Sequence, residues 1–513
     1  MHADVLIVGA GAGGGALAYS LAASGKRVLL LERGGWLPRE PGNWDPDALF
    51  GPEQRYSSRE PWINGASGDT LSGSAYYHVG GNTKVYGAAL LRLRPEDFEE
   101  HRTYDGMAPA WPISYEDLAP HYDRAEQVYH VHGRRGADPF EPPAGSDFPH
   151  PPLAHEPRIQ EIADALSAGG TRAFELPMGL RLNADDDDSG PFTLRETFAA
   201  AGQETFDGYP DLTGLKADAE AATVRPALAH PNVQLRTNAR VTKIETDASG
   251  REVTAVVADV DGVETRFTAE VFVLSAGAIN SAALLLQSRS ERHPRGLANS
   301  SGAVGRHFMR HVSSKFYSIS PGTPNESYFQ KTLAINDFYF SGPEFDFPLG
   351  HIHLMGKHYG PMIARDLAIS ADEAAPLARD SVDWWVQTED LPLFDNRVAI
   401  DDADRVVLHY RDTNHLPHMR LMDVMEERLR PLGFSSFYRV AMPLYVVNHQ
   451  CGTLRMGTDP SSSVLDPFCR AHDLQNLYVV DASFFPSSGA SNPTLTIVAN
   501  AFRVGEHLLA DIL

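Results

Sequence analysis

The sequence predicts an α/β protein built on a parallel sheet, with an α+β domain interleaved into it. Three observations carry this. The apolar run Asp4 to Val8 ends at a string of glycines. A helical stretch follows, and then a second apolar run, Arg27 to Glu32. Far downstream, Leu477 to Leu508 reads again as strand, loop and helix.

Each element follows from its residues. Short continuous apolar runs bounded by turn residues are buried strands of a parallel sheet. Strand, tight turn, helix, strand places the two strands side by side and parallel. Residues 36–75 are rich in Gly, Pro, Ser and Trp and show no period, so they read as a surface excursion. Residues 113–133 read as helical, with a break allowed at Pro120. Residues 134–157 are Pro- and acid-rich and are expected to wrap the outside. The acid run Asp185 to Asp188 is expected in a solvated loop. From Val233 to Gly277 apolar and polar residues alternate between turns such as Ser249-Gly250 and Asp261-Gly262, which predicts a strand meander. A helix is expected from Ala278 to about Ser288, and residues 306–440 are mixed, with several strand-like stretches.

The chain has 513 residues, and its formal net charge of −23 disfavours a nucleic-acid partner by repelling phosphate backbones. Two cysteines, Cys451 and Cys469, cannot form a disulfide framework or a four-cysteine metal site. The apolar N-terminus has no basic flank and is broken by glycines, so neither export nor membrane insertion is expected and the location is read as cytoplasmic.

Gly9, Gly11 and Gly14 form a G-x-G-x-x-G string after a strand and at the start of a helix. Gly9 permits the turn, Gly11 lets the backbone approach a diphosphate, and Gly14 lets the helix pack on the strand. Glu32 ends the second strand about 20 residues on, where an acid binds ribose hydroxyls. This is a Rossmann-like dinucleotide-binding unit. The loop with Gly80, Gly81, Asn82 and Thr83 can bring backbone amides against a flat ligand or its diphosphate. Near the C-terminus, His449 and Asn492 stand in separate loops. A histidine can take a hydroxyl proton while an asparagine orients the oxygen. Singly, one of 21 histidines and an Asn before a Pro would be read as structural.

These segments together resemble the glucose–methanol–choline (GMC) family of flavoprotein oxidoreductases, along the whole chain. The carriers are GAGAGG with Glu32, GGNTKVYGAALLRLRPEDF, VLSAGAINSAALLLQS, HQCGTLRMG and VVDASFFPSSGASNPTLTIVANAFRVGEHL. Within the family the motifs look closest to the pyranose-oxidase and glycoside-oxidising branch. The resemblance implies bound FAD. It implies an FAD-binding domain from residues 1–100, 220–305 and 445–513, and a substrate-binding domain with surface excursions from 101–219 and 306–444. It makes His449 the active-site histidine and Asn492 its partner. Asp481 and Ala482 fall near the ribityl chain and flavin ring, and Asn492, Pro493 and Thr494 under the pyrimidine edge. Val241 and Ala276 fall beside the adenosine.

The implied reaction is oxidation of an alcohol on a small molecule. A ring secondary hydroxyl of a sugar or glycoside is the expected substrate. A primary alcohol, including one on an aminated natural product, is the alternative, and flavin-dependent lyase chemistry is another. Val85 stands where covalently flavinylated relatives carry a histidine, so non-covalent FAD is expected. The stretch Glu204 to Glu220 lacks the cysteines of an iron–sulfur relay, which points to a soluble acceptor such as oxygen, a quinone or a dye. Oligomeric state is left open. His351 and His353 share a strand face and are expected as pocket lining or strand packing rather than metal ligands. Cys451 lies near His449 without a partner to activate it. Trp384 and Trp385 are read as core, with a sugar platform as the lesser option.

Overall fold

The computed structural model describes residues 2–50, 54–58, 60–72, 75–182, 206–444, 446 and 449–513. The acid run Asp185 to Asp188, and the first two residues of the cysteine-free stretch from Glu204, lie outside them.

The chain opens with β1 (His2–Val8), α1 (Ala12–Ala22) and β2 (Val28–Leu31). β3 (Val233–Arg236) pairs parallel with β2. This corrects the expected meander, which begins one strand later. Val233 and Leu235 alternate with polar residues as edge strands do, and alternation alone does not tell a parallel edge from a hairpin. β4 (Ala239–Thr246), β5 (Val253–Val260) and β6 (Val263–Leu274) form the meander. β6 is long enough to join the meander to the parallel strands in one sheet. Its first residues pair antiparallel with β5, and Thr268 to Leu274 pair parallel with β1. α2 (Ala278–Gln287) leaves its end.

A second, antiparallel sheet comes next in the chain. Its strands are β7 (Val312–Ile319), β8 (Leu333–Ile335), β9 (His351–Leu354), β10 (Ser381–Thr388) and β11 (Ser436–Ala441). They run in the order β11-β7-β10-β9-β8, with Ala173–Glu175 at the far edge. The period-2 alternation splits this sheet cleanly. Phe316, Ile352, Trp384 and Val386 enter an apolar core with Ile159, Leu166, Leu421 and Met425 from two covering helices. Lys315, His351, His353 and Trp385 take the opposite face, because they are cross-strand partners of one another or lie two apart.

The chain then returns to the first sheet. β12 (Leu477–Val479) pairs parallel with β6, and α3 (Thr494–His507) packs on α1. The parallel order is β3-β2-β1-β6-β12. The surface excursion over residues 36–75 contains a small amount of order, with Pro61–Asn64 and Thr70–Ser72 pairing and joining Val406–His409. The helix expected over residues 113–133 runs Tyr115–Val128, with Pro120 inside it. Among the described residues no helix is long and apolar enough to cross a membrane.

The glycine turn fixes how closely these layers approach. A Cβ on Gly14 would stand 2.0 Å from the Gly9 carbonyl oxygen, and one on Gly13 would stand 2.1 Å from the Val480 carbonyl oxygen. Gly14→Ala is therefore expected to lower stability by about 1–3 kcal/mol, the usual effect of overpacking. Gly360→Ala, whose Cβ would meet nothing closer than 3.9 Å, should change it by less than about 0.5 kcal/mol. Urea unfolding of both variants measures the difference.

Candidate active site

A cavity of about 1140 Å³ runs from the carboxyl ends of β1 and β2 to the second sheet. That exceeds the usual range of roughly 300–1,000 Å³ for one small ligand, so it has room for a dinucleotide and a substrate. Gly9, Gly11, Glu32, Gly81, Asn82, Thr83, Val241, Ala276, Asp481, Ala482, Asn492, Pro493 and Thr494 all line it, as does His449.

Two of the expected cofactor residues stand behind the wall. Gly14 holds the helix against the strand. Gly80 adopts φ 99° and its amide donates to the Ala10 carbonyl at 2.9 Å, so it shapes the loop and leaves the lining to Gly81. Thr83 has a structural load as well. Its hydroxyl donates to the Gly80 carbonyl at 2.5 Å and accepts from the Ala219 amide at 2.9 Å.

The floor suits a diphosphate. α1 begins at Gly11 with no side-chain cap, so the amides of its first turn face the cavity end. The backbones of Gly11 and Gly81 approach so closely that a Cβ on Gly81 would lie 3.2 Å from Gly11 Cα. Glu32 is buried, and burial pushes its carboxyl pKa up. Its two oxygens accept from Ala10 N at 2.9 Å and Gly34 N at 3.0 Å, each keeping a lone pair for a ribose hydroxyl. Asp481 ties the middle together. It accepts from Gly277 N at 3.0 Å, from Ser281 Oγ at 2.5 Å and from Ser483 N at 2.9 Å. Burial raises its pKa too.

The sequence did not single out Arg33, Glu60 and Tyr77, which line the same end of the cavity. Arg33 lies 3.7 Å over the Tyr77 ring and donates to Glu60 at 3.0 Å. Their separation in sequence leaves no motif to read.

At the other end His449 meets Asn492 and a third residue, His311. His311 Nε2 lies 3.0 Å from the Gly489 carbonyl oxygen, which can only accept, so this nitrogen carries the proton. Burial lowers the His311 pKa to about 4, so the ring is neutral and its Nδ1 is bare. His449 Nδ1 lies 2.9 Å from that bare nitrogen and must donate to it. His449 Nε2 is left unprotonated at the cavity, where its lone pair accepts from Asn492. Asn492 Nδ2 stands 3.4 Å from it. Burial, and then the neighbouring His311, hold the His449 pKa well below the ordinary value. The residue sits at φ 56°, a left-handed conformation that costs a side-chain-bearing residue about 1–2 kcal/mol. The chain just after it is pinned, with Cys451 and Met309 exchanging backbone hydrogen bonds at 2.9 and 3.0 Å.

His353 and Trp385 line the cavity, the Trp385 ring centroid lying 6.2 Å from that of His449. Trp384 points into the core and donates to Ser318 at 3.0 Å. Cys451 is buried and burial raises its thiol pKa, so its role is packing. His351 donates to Asn336 Oδ1 at 2.5 Å behind the wall. Among the described residues no group of His, Cys, Asp or Glu could hold a metal ion.

Comparison with known proteins identifies the family. Two family models described as GMC oxidoreductase match residues 192–313 and 389–501. The chain is 31% identical to paromamine 6'-oxidase of Streptomyces fradiae, over 99% of this chain and 92% of that one. It is 31% identical to 6'''-hydroxyparomomycin C oxidase of Streptomyces lividus, with the same coverage. The chain belongs to the GMC oxidoreductase family. A solved pyridoxine 4-oxidase from Mesorbium loti shares the fold of this GMC oxidoreductase, with a TM-score of 0.68 at 19% identity over 98% and 99% of the two chains. The GMC oxidoreductases use FAD, and the cavity fits it. Ser275 Oγ and Asn492 Oδ1 are buried in its wall with no partner in the protein, as atoms reserved for a polar ligand are.

Two predictions follow from the histidines. His311→Phe should slow anaerobic flavin bleaching by substrate about 10- to 100-fold, because the His449 tautomer is no longer held. His311→Asn, whose side-chain oxygen can accept from Nδ1–H, should recover part of that loss in stopped-flow traces. The second concerns acid. His132, His307, His311 and His358 all have pKa values lowered to about 4 by burial. Below the unfolded value of about 6.5 the unfolded chain binds protons that the folded one does not. From these four groups stability is expected to fall from pH 6.5 to 4, partly offset by Asp390 and Asp97, whose carboxyl pKa values burial raises to about 7 and about 6, as thermal unfolding across that range will show.

Proposed function

We propose that this GMC oxidoreductase oxidises an alcohol of a sugar or glycoside, with His449 as the base. The observation that carries the proposal is the unprotonated Nε2 of His449, accepting from Asn492 Nδ2 at 3.4 Å in the wall of the cavity. When bound, FAD supplies the two-electron acceptor for the alcohol carbon. His449 Nε2 removes the hydroxyl proton. Asn492 Nδ2 donates to the alcohol oxygen and steadies the charge that develops there. Gly11 and Gly81 would hold the diphosphate, Glu32 the ribose and Val241 the adenine edge. Trp385 and the second sheet exclude water from the reacting end.

Between a ring secondary alcohol and a primary one, the names of the two relatives favour the primary. Both refer to a 6 position, the exocyclic carbon of a hexose. The same names, both of oxidases, weigh against the lyase reading. An aminated substrate draws no special support from the substrate end. Its carboxylates, Asp207 and Asp366, are each already bound to a lysine.

Non-covalent attachment is supported by the wall itself. Val85 lines the cavity and offers no nucleophile, while the nearby His78 turns its Nε2 to the Tyr56 carbonyl at 3.1 Å. Denaturation in acid followed by filtration should release the yellow colour. Colour retained on the polypeptide would overturn this attachment.

The central test is anaerobic. Methyl glucoside should bleach the wild-type flavin, whereas His449→Ala should keep its FAD and bleach at least about 100-fold more slowly. A variant as fast as wild type would remove His449 from the mechanism. Hydrogen peroxide formed during aerobic turnover would identify oxygen as the acceptor, and reduction of a quinone or dye without peroxide would identify a dehydrogenase.

A further inference from the structure

Lys331 and His353 stand outside the proton-transfer machinery, yet both line the reacting end of the cavity. Lys331 is buried, 1% exposed, and among the described residues its ammonium has one hydrogen bond, a short one to Asp207 Oδ1. Two of its three N–H donors are left. Burial pushes the Asp207 pKa up and the Lys331 pKa down, but each charge holds the other and the carboxyl lies below its usual range, so the pair is ionised.

The wall is built around this pair. A Cβ on Gly87 would stand 2.0 Å from Asp207 Oδ1 and 2.1 Å from Lys331 Nζ. On the other side Gly356 N donates to Asp207 Oδ2 at 2.5 Å, and a Cβ on Gly356 would lie 3.1 Å from that oxygen. Two glycines clear space for one buried ion pair.

His353 complements it. Its Nδ1 donates to the Leu354 carbonyl at 2.8 Å, so the proton is on that nitrogen and Nε2 carries a lone pair. Nε2 is buried and has no partner. Burial, and then the charge on Lys331, hold the His353 pKa well below the ordinary value, so the ring is neutral. A lysine with unused donors and an imidazole with an unused acceptor thus face one cavity.

We propose, resting on the alcohol-oxidation reading, that Lys331 and His353 form a hydroxyl-reading subsite that binds a second oxygen of the substrate. A hydroxyl accepts from Lys331 and donates to His353 Nε2. A hydrogen atom in its place leaves both groups unpaired. An ammonium there cannot accept, and Lys331 repels it. The substrate is then a polyol whose hydroxyl beside the reacting end is free, unmethylated and not replaced by an amine.

The test uses the FAD-loaded enzyme, methyl glucoside and its 2-, 3- and 4-deoxy analogues. For the wild type, removal of one particular hydroxyl should raise KM about tenfold or more. His353→Phe and the charge-balanced pair Lys331→Met with Asp207→Asn should raise KM for methyl glucoside by a similar factor and leave FAD content unchanged. In those variants the same deoxy sugar should carry no further penalty. Equal losses on every sugar, or a deoxy penalty unaltered by the variants, would overturn the subsite. Binding separates this result from the reaction. Methyl 6-deoxyglucoside, titrated against the flavin spectrum, reports the subsite without turnover. Tight binding that weakens in the variants, with no bleaching by any sugar, would sink the alcohol reading and keep the subsite.

Discussion

Everything at the cofactor end depends on how closely three pieces of backbone meet at the carboxyl ends of β1, β6 and β12. A Cβ on Gly9 would lie 2.3 Å from the Ser275 carbonyl oxygen, and one on Gly13 2.1 Å from that of Val480. No side chain fits between them. Because those strands are contiguous in the sheet, the first turn of α1, the Ser275–Gly277 turn and the Asp481 turn all open into one cavity. Strand crowding makes the floor, and the uncapped helix end makes it suitable for anionic groups. Glu32 and Asp481 add to this by accepting backbone amides, which fixes the loops that would otherwise move.

The opposite wall obeys a different rule. A strand turns alternate side chains to alternate faces, so one face of the second sheet can be apolar while the other carries chemistry. Trp384 and Trp385 show the rule at neighbouring positions, one in the core and one beside His449. Register does the rest. His353 lies opposite Trp385, which lies opposite Lys315, so residues far apart in the sequence share a row. A one-residue slip would turn Lys315 into the apolar core and Phe316 out of it, and that core opposes it.

Much of this was legible in the residues. The glycine string with Glu32 named the first layer, since each glycine has a steric reason independent of the rest of the chain. His449 and Asn492 stand in segments with recognisable company, and both line the cavity. His311 was missed. Its value lies in a 2.9 Å contact with a residue 138 positions away and a carbonyl 178 positions away, and no local pattern encodes that. Lys331 and Asp207 were missed for the same reason, and Gly87 and Gly356, which make room for them, look like ordinary loop glycines. The edge strand β3 was assigned to the meander because pairing partner, unlike alternation, is not a local property. Local sequence shows what an element is, and contact order decides what it meets.

On the proposed reading of His449 as the base, the neutral histidine pair explains how such a group can be both buried and useful. A pKa well below the ordinary histidine value keeps His449 unprotonated at neutral pH, but the burial that lowers it also makes the imidazolium costly. The protonated form needs somewhere to place its charge. Once Nε2 takes the proton, the Nδ1–H bond to His311 becomes charge-assisted and stronger, and His311 passes polarisation to the Gly489 carbonyl. Glu389, whose carboxylate accepts from the Gly489 amide at 3.2 Å, is the acid that favours positive charge on His311. The stabilisation therefore acts after the proton has moved and is nearly silent before it. That is the condition for lowering a barrier rather than tightening the resting complex.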